Sequence, residues 1–249
     1  MLLLALQVPA IEATWLADVA AATGLTPADI RPRLAGPGPW VLAVSADSGA
    51  LTAMLPALAK LHVRALLCDP ILAPGDADRV IVRSLTFATG SFVATDVAGH
   101  DHACPYSCVS LIQPGTRVEV STETTKTTQV KFSAGRALLT GGLSLTKKEV
   151  IEQTKKSERS ERFVLLARND GEKDLILYER RLNYQFLGSQ MQASSFGNFE
   201  LTVALLRSRT SAVVDERVTT PGFVGRLPKT RTDPADLALY LVQLAHLSA

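Results

Sequence analysis

The residues of this chain best suited to assembling a reactive centre lie in Gly99–Cys108, GHDHACPYSC. Two of the four histidines and two of the three cysteines fall within nine residues there. A zinc ion takes four nitrogen or sulfur ligands in a tetrahedron, and His100, His102, Cys104 and Cys108 supply such a set. Zinc is therefore the one cofactor that the residue types suggest, and a metal-binding protein is one reading. The spacing His-x-His-x-Cys-x3-Cys lacks the C-x2-C or H-x3-H knuckles that turn a backbone around an ion. Pro105 and the strand expected after it also draw Cys108 away. The competing reading is a loop that enters a strand and leaves its histidines exposed.

Other chemistry is not encoded. There is no G-x-S-x-G elbow, and neither Cys104 nor Cys108 has an orienting residue beyond Asp101 for a histidine base. Gly135-Arg136 and Gly141-Gly142 do not make a phosphate-binding G-x-x-x-x-G-K-[ST] loop. The acid pairs Glu149/Glu152 and Glu158/Glu161 sit in a charged run where nothing raises a carboxyl pKa. No catalytic residue is assigned.

Charge is more informative than reactivity. The 249 residues carry a net charge of +2, too little to argue for nucleic acid from the global field. Met1–Asp78 holds four Arg/Lys against seven Asp/Glu, whereas Thr116–Arg162 holds ten against six. Within that middle segment Lys126, Lys131, Lys147, Lys148, Lys155, Lys156 and Arg159 are candidates for contact with an anionic partner, a lipid surface or a nucleic acid. Aromatic residues are absent from Thr146–Arg162, so base stacking has no support there. A solvated face of mixed charge is the competing reading.

Composition sets the remaining bounds. A hydrophobic fraction of 47% and a mean hydropathy of +0.16 permit a packed core. Three cysteines do not form a disulfide framework. The MLLLALQVPAIEA start lacks a basic region and meets Glu12 and Asp18 at once, so it reads as a buried first strand and not a leader. No run approaches the roughly 18 apolar residues that a spanning helix needs. These features lead to the expectation of a cytoplasmic protein.

The elements that must position these residues begin with a strand at Leu2–Val8. A helix capped by Thr14 follows, with Gly24 at its end, and Thr26-Pro27 opens a second, short helix. Trp40–Val44 is a strand, a third helix capped by Asp47 or Ser48 runs to about Leu61, and Val63–Cys68 is a third strand. Pro56 is expected to kink the third helix or end it early. The β-α-α-β-α-β order and the wording ATGLTPADIRPRLAG (Ala22–Gly36) resemble the C-terminal domain of ribosomal protein L7/L12 and its ClpS-like relatives. The resemblance implies a small three-stranded fold for residues 1–72. The family's lysine-bearing recruiting helix is not reproduced, because Pro27, Asp29, Arg31 and Pro32 stand there. His62 and Cys68 read as structural.

Pro70–Asp78 reads as a boundary, and a β-rich domain is expected over residues 79–249. Its predicted strands include a hairpin at Arg79–Asp96, Pro105–Ile112 closed by Pro114-Gly115, and alternating segments at Arg117–Ser121 and Lys126–Ser133. Ala137–Leu139 with a Gly141-Gly142 turn comes next. The charged insert 146–162 opens with a capping-box pattern, Thr146-Lys-Lys-Glu149, which predicts a short helix to Gln153 and a loose run after it. Arg162–Arg168 and Asp174–Glu179 form a hairpin over Asn169-Asp170-Gly171, and Arg181–Leu187 adds a strand. Closing helices are expected at 199–209, capped by Ser194 or Ser195, and at 234–247, opened by Asp233-Pro234 and carrying a Leu237, Leu241, Leu244 and Leu247 stripe. The segments FVATDVAG (Phe92–Gly99), PYSCVSLI (Pro105–Ile112) and FVLLARNDGEKDLILYE (Phe163–Glu179), with the helix after Asn198, resemble the pleckstrin-homology-like architecture. That resemblance implies binding of lipids, peptides or proteins and not catalysis. The whole is an α+β chain, read as a non-enzymatic adaptor or regulatory protein that acts on another protein.

Overall fold

The computed structural model describes residues 1–132, 146–220 and 222–248, and of those between 119 and 159 it describes the backbone alone. The fold is mixed α+β, with a three-stranded sheet, a seven-stranded sheet and helices at the C-terminal end. Contacts divide it into two compact units: a body made of Met1–Thr116 with Arg162–Ala249, and a second unit, Arg117–Glu161. Residues 1–72 and 79–116 thus fall within one and the same unit. Among the described residues no helix is long and apolar enough to cross a membrane.

The body begins with β1 (Leu2–Gln7), α1 (Ala13–Thr23), α2 (Pro27–Arg33), β2 (Trp40–Val44), α3 (Ser48–Lys60) and β3 (Arg64–Cys68). The sheet order is β2-β1-β3, antiparallel throughout. Capping chemistry sets the helix starts. Thr26 and Asp29 exchange bonds in a capping box, and the Asp47 carboxylate accepts from Gly49 N and Ala50 N. α1 starts at Ala13, one residue before the expected Thr14 cap, and Gly24 in the left-handed region (φ 68°) ends it. Pro56 does not interrupt α3. It lies on the exposed side, where the carbonyl that loses its donor can meet water.

The second sheet is built from β4 (Val80–Phe87), β5 (Ser91–Asp96), β6 (Asp101–Pro105), β7 (Val109–Phe132), β8 (Thr146–Arg168), β9 (Leu175–Tyr178) and β10 (Val213–Val214). Its order is β10-β7-β8-β9-β4-β5-β6. Pairing is antiparallel at β4–β5, β5–β6 and β8–β9, and parallel at β4–β9 and β7–β10. Two helices complete the body, α4 (Ser195–Arg209) and α5 (Pro234–Leu247).

Four sequence expectations are corrected here. Thr146 opens a strand and not a helix, and strand continues through the insert to Arg168. Pro114-Gly115 does not close β7. β10 pairs only with Leu111 and Ile112, so nothing on that side needs the donor that Pro114 lacks. Tyr184–Gln190 is a 3-10 turn instead of a strand. α4 starts at Ser195, four residues before the expected Phe199, under the Ser194 cap that the sequence offered. The expected strand at Ala137–Leu139 and the Gly141-Gly142 turn lie outside the described residues.

Period-two alternation makes the body a stack of layers. On the first sheet Leu3, Ala5, Leu42 and Leu67 face α1–α3, while Leu2, Leu4, Leu66 and Cys68 face α5. On the second sheet Phe163, Leu165, Ile176 and Tyr178 face α5 from its other side. Their strand neighbours Val164, Leu166, Leu175 and Leu177 face α4 through Phe199, Val203 and Leu206. α5 is therefore apolar on two opposite faces. Leu237 and Leu241 meet the first sheet; Ala235, Ala238, Leu239 and Val242 meet the second. The stripe expected from Leu237, Leu241 and Leu244 is one of these faces, and Leu247 lies outside it, 86% exposed. Each large side chain so buried contributes about 1.5–3 kcal/mol relative to exposure.

The expected boundary at Pro70–Asp78 is tied to both neighbours. Arg79, with a side chain 1% exposed, pairs with Asp236 in the first turn of α5 at 2.5 Å. Tyr178 Oη donates to Asp76 at 2.7 Å, and Thr232 Oγ1 donates to the Pro70 carbonyl at 2.7 Å.

Candidate functional site

The β5–β6 hairpin decides where the histidines and cysteines go. β6 pairs His102 with Ala94 and Cys104 with Phe92, so these two side chains share the inward face. Cys104 is fully buried in the core between β5 and α4, and that burial pushes its thiol up to about 11. A neutral, buried thiol is the opposite of what a zinc thiolate needs. His102 stops short of the core and turns to Asp96, with Nε2 3.1 Å from Oδ2; His100 Nδ1 lies 3.2 Å from the same oxygen. Cys108 ends a 3-10 turn and helps hold the Asp170 carboxyl below its usual range. The cluster thus separates into a His100/His102 pair on Asp96, a core thiol and a thiol beside Asp170. Among the described residues no group of three or more His, Cys, Asp or Glu side chains is placed to hold a metal ion.

Asp96 is the member that sequence reading missed. Its Oδ1 accepts from Ala98 N at 2.8 Å and from His100 N at 2.9 Å, which closes the hairpin turn. The His100 backbone bond and the His102 ring together hold its carboxyl well below the usual carboxylate range. The signal was present in the D-x3-H-x-H spacing, where an aspartate at the first turn position tends to bind backbone N–H groups just ahead of it.

The basic candidates all fall on two strands. Lys126 and Lys131 lie on β7, and Lys147, Lys148, Lys155, Lys156 and Arg159 lie on β8, all seven in the Arg117–Glu161 unit. β7 and β8 are hydrogen-bonded neighbours of 24 and 23 residues, several times the usual five or six.

Where the body ends on these strands it is tightly fixed. A Cβ on Gly115 would run into the Phe163 ring, so glycine is the residue that lets β7 lie against it. Arg162 donates through Nε to Glu179 at 2.9 Å and through Nη1 to Glu200 at 2.7 Å. Its guanidinium also stacks 4.0 Å from the centre of the Phe196 ring. Arg162 closes the basic Thr116–Arg162 segment in sequence, but its charge is engaged by two carboxylates of the body. Comparison with family models, with curated proteins and with solved structures finds no match for this chain.

Proposed function

We propose that this chain is a non-enzymatic adaptor that binds an acidic surface on another protein through the strand pair of Arg117–Glu161. The observation that carries the reading is the length and content of that pair. A two-stranded pair on its own gains little stability in water, since it has one ladder and no opposing layer. Arg117–Glu161 nevertheless extends β7 and β8 far beyond what the body's core requires, and holds nine Lys/Arg against six Asp/Glu. A partner that supplies the opposing surface and the opposing charge accounts for both facts. The resemblance to pleckstrin-homology-like folds, which bind and seldom catalyse, points the same way.

The mechanism is electrostatic steering followed by docking of a long strand surface. Lys147, Lys148, Lys155 and Lys156 raise the encounter rate with an acidic partner, and affinity falls as salt screens them. A photocrosslinking side chain placed at Lys126 or Lys148, compared with one at Ile71 on the body, tests this. The reading expects one recurrent crosslinked protein from the strand positions only, weakened by salt and lost in the K147E/K148E/K155E/K156E variant. Crosslinks that arise equally at Ile71, or survive charge reversal and high salt, overturn it. Retention on anionic vesicles with no protein crosslink would assign the same charges to a lipid surface instead.

A further inference from the structure

We propose that the cavity beside the last turn of α5 binds a small primary amine, held as its ammonium ion. The cavity has a volume of about 310 Å³ and lies between β7, β8 and α5. That volume is at the lower end of the range for small-molecule sites. Leu111 and Leu247 give it apolar walls, and Asp174, Gln243 and His246 bring polar atoms to it.

Charge selects the ligand. The carboxylate of Asp174 is half-buried and, among the described residues, accepts from two neutral donors, Arg168 N at 2.9 Å and Gln243 Nε2 at 2.8 Å. Among the described residues no cation pairs with it. Arg168 also lines the cavity, but its guanidinium is taken by Asp170 in a two-pronged pair at 3.0 and 2.5 Å. The local balance is therefore one negative charge. His246 and Leu247 also lie in the last turn of α5, with Gln243 just before it, and the carbonyl end of a helix favours a cation.

Hydrogen-bond capacity agrees with charge. His246 Nε2 lies 2.9 Å from Asp215 Oδ2, and Asp215 is itself fixed by the Arg217 side chain. Gln243 donates one amide hydrogen to Asp174 and retains Oε1 as an acceptor. With the two oxygens of the Asp174 carboxylate this makes three acceptor atoms on residues that line the cavity, one for each hydrogen of an ammonium group, while Leu111 and Leu247 offer apolar surface to the body of the amine. A carboxylate or phosphate ligand would meet an unneutralised negative charge.

Calorimetric titration of the full chain with benzylamine, benzyl alcohol and benzoate tests the assignment. Benzylamine is expected to bind with one-to-one saturation, and the alcohol and the acid at least ~10-fold more weakly, as loss of a charge-assisted bond implies. Asp174→Asn is expected to weaken benzylamine by a similar ~10-fold factor. Asp174 also accepts from Arg168 N, so Gln243→Leu, which removes an acceptor from the helix surface, serves as a second variant with an unchanged melting temperature as its control. Equal binding of amine and alcohol overturns the proposal. So does the absence of saturation at about 10 mM amine, above the millimolar range expected of so small a ligand, or unchanged binding in both variants.

Discussion

The body and the Arg117–Glu161 unit obtain order in different ways. In the body both faces of β8 and β9 are covered: Phe163, Leu165, Ile176 and Tyr178 by α5, Val164, Leu166, Leu175 and Leu177 by α4. α5 is itself covered twice, by Leu2 and Leu4 on one side and by the second sheet on the other. In Arg117–Glu161 the same two strands continue as Ser, Thr, Lys, Glu and Gln with a few interspersed valines. One chain therefore uses β7 and β8 first as core and then as a polar pair. The contrast teaches that the length of a strand is no measure of how much of it serves the core.

The sharpest way to break the comparison is to unpin α5. Asp236→Ala leaves the buried Arg79 guanidinium with the more distant Asp76 carboxylate at 4.0 Å, and loss of the close partner of a buried ion pair is expected to cost up to about 3–5 kcal/mol. Chemical denaturation is expected to show that loss as one cooperative transition, because α5 serves both sheets at once. Two separate transitions would show instead that the sheets fold independently.

A smaller effect is expected at the end of the body. Gly115→Ala forces a methyl group against the Phe163 ring and is expected to cost about 1–3 kcal/mol as local overpacking. A denaturation midpoint unchanged by Gly115→Ala would mean that β7 moves off Phe163 freely.

Acid sensitivity sharpens the account of the β5–β6 hairpin. The folded carboxyl of Asp96 titrates below its unfolded value, first through the His100 backbone bond and then through the His102 ring. Its contribution is thus fully present above the unfolded carboxylate range near ~4 and is lost as pH falls toward the folded value. Asp170, held by Arg168 at about 2, adds a term of the same sign. Asp96→Asn is expected to reduce the difference in denaturation midpoint between mildly acidic and strongly acidic solution. An equal difference in wild type and variant contradicts the assignment.

Much of the body was legible because local chemistry and tertiary demand agreed. Thr26-Pro27, Asp47 and Asp233-Pro234 each start a helix where capping predicts one, and Asn169-Asp170-Gly171 turns β8 into β9. The misreadings occur where one local pattern fits two states. Thr146-Lys-Lys-Glu149 satisfies a helix cap on paper, and a charged run offers no apolar period to contradict it; pairing with β7 decides the matter. The second face of α5 escaped notice because Ala235 and Ala238 are small, and small residues mark close packing without adding to a hydrophobic stripe. The grouping of His100, His102, Cys104 and Cys108 followed proximity in sequence, whereas strand alternation sends Cys104 to the core and leaves His102 at its rim.

The smallest expected effect on stability belongs to the most direct test. Residues 118–160 are replaced by an Asn-Gly turn between Arg117 and Glu161, and the shortened chain is compared with the full one by thermal unfolding and by co-precipitation of the protein that crosslinks at Lys126 or Lys148 of the full chain. The account predicts a body whose stability changes by no more than about 0.5 kcal/mol, as for a segment outside the core, and complete loss of the partner. A shortened chain that fails to fold, or one that retains the partner, would contradict it.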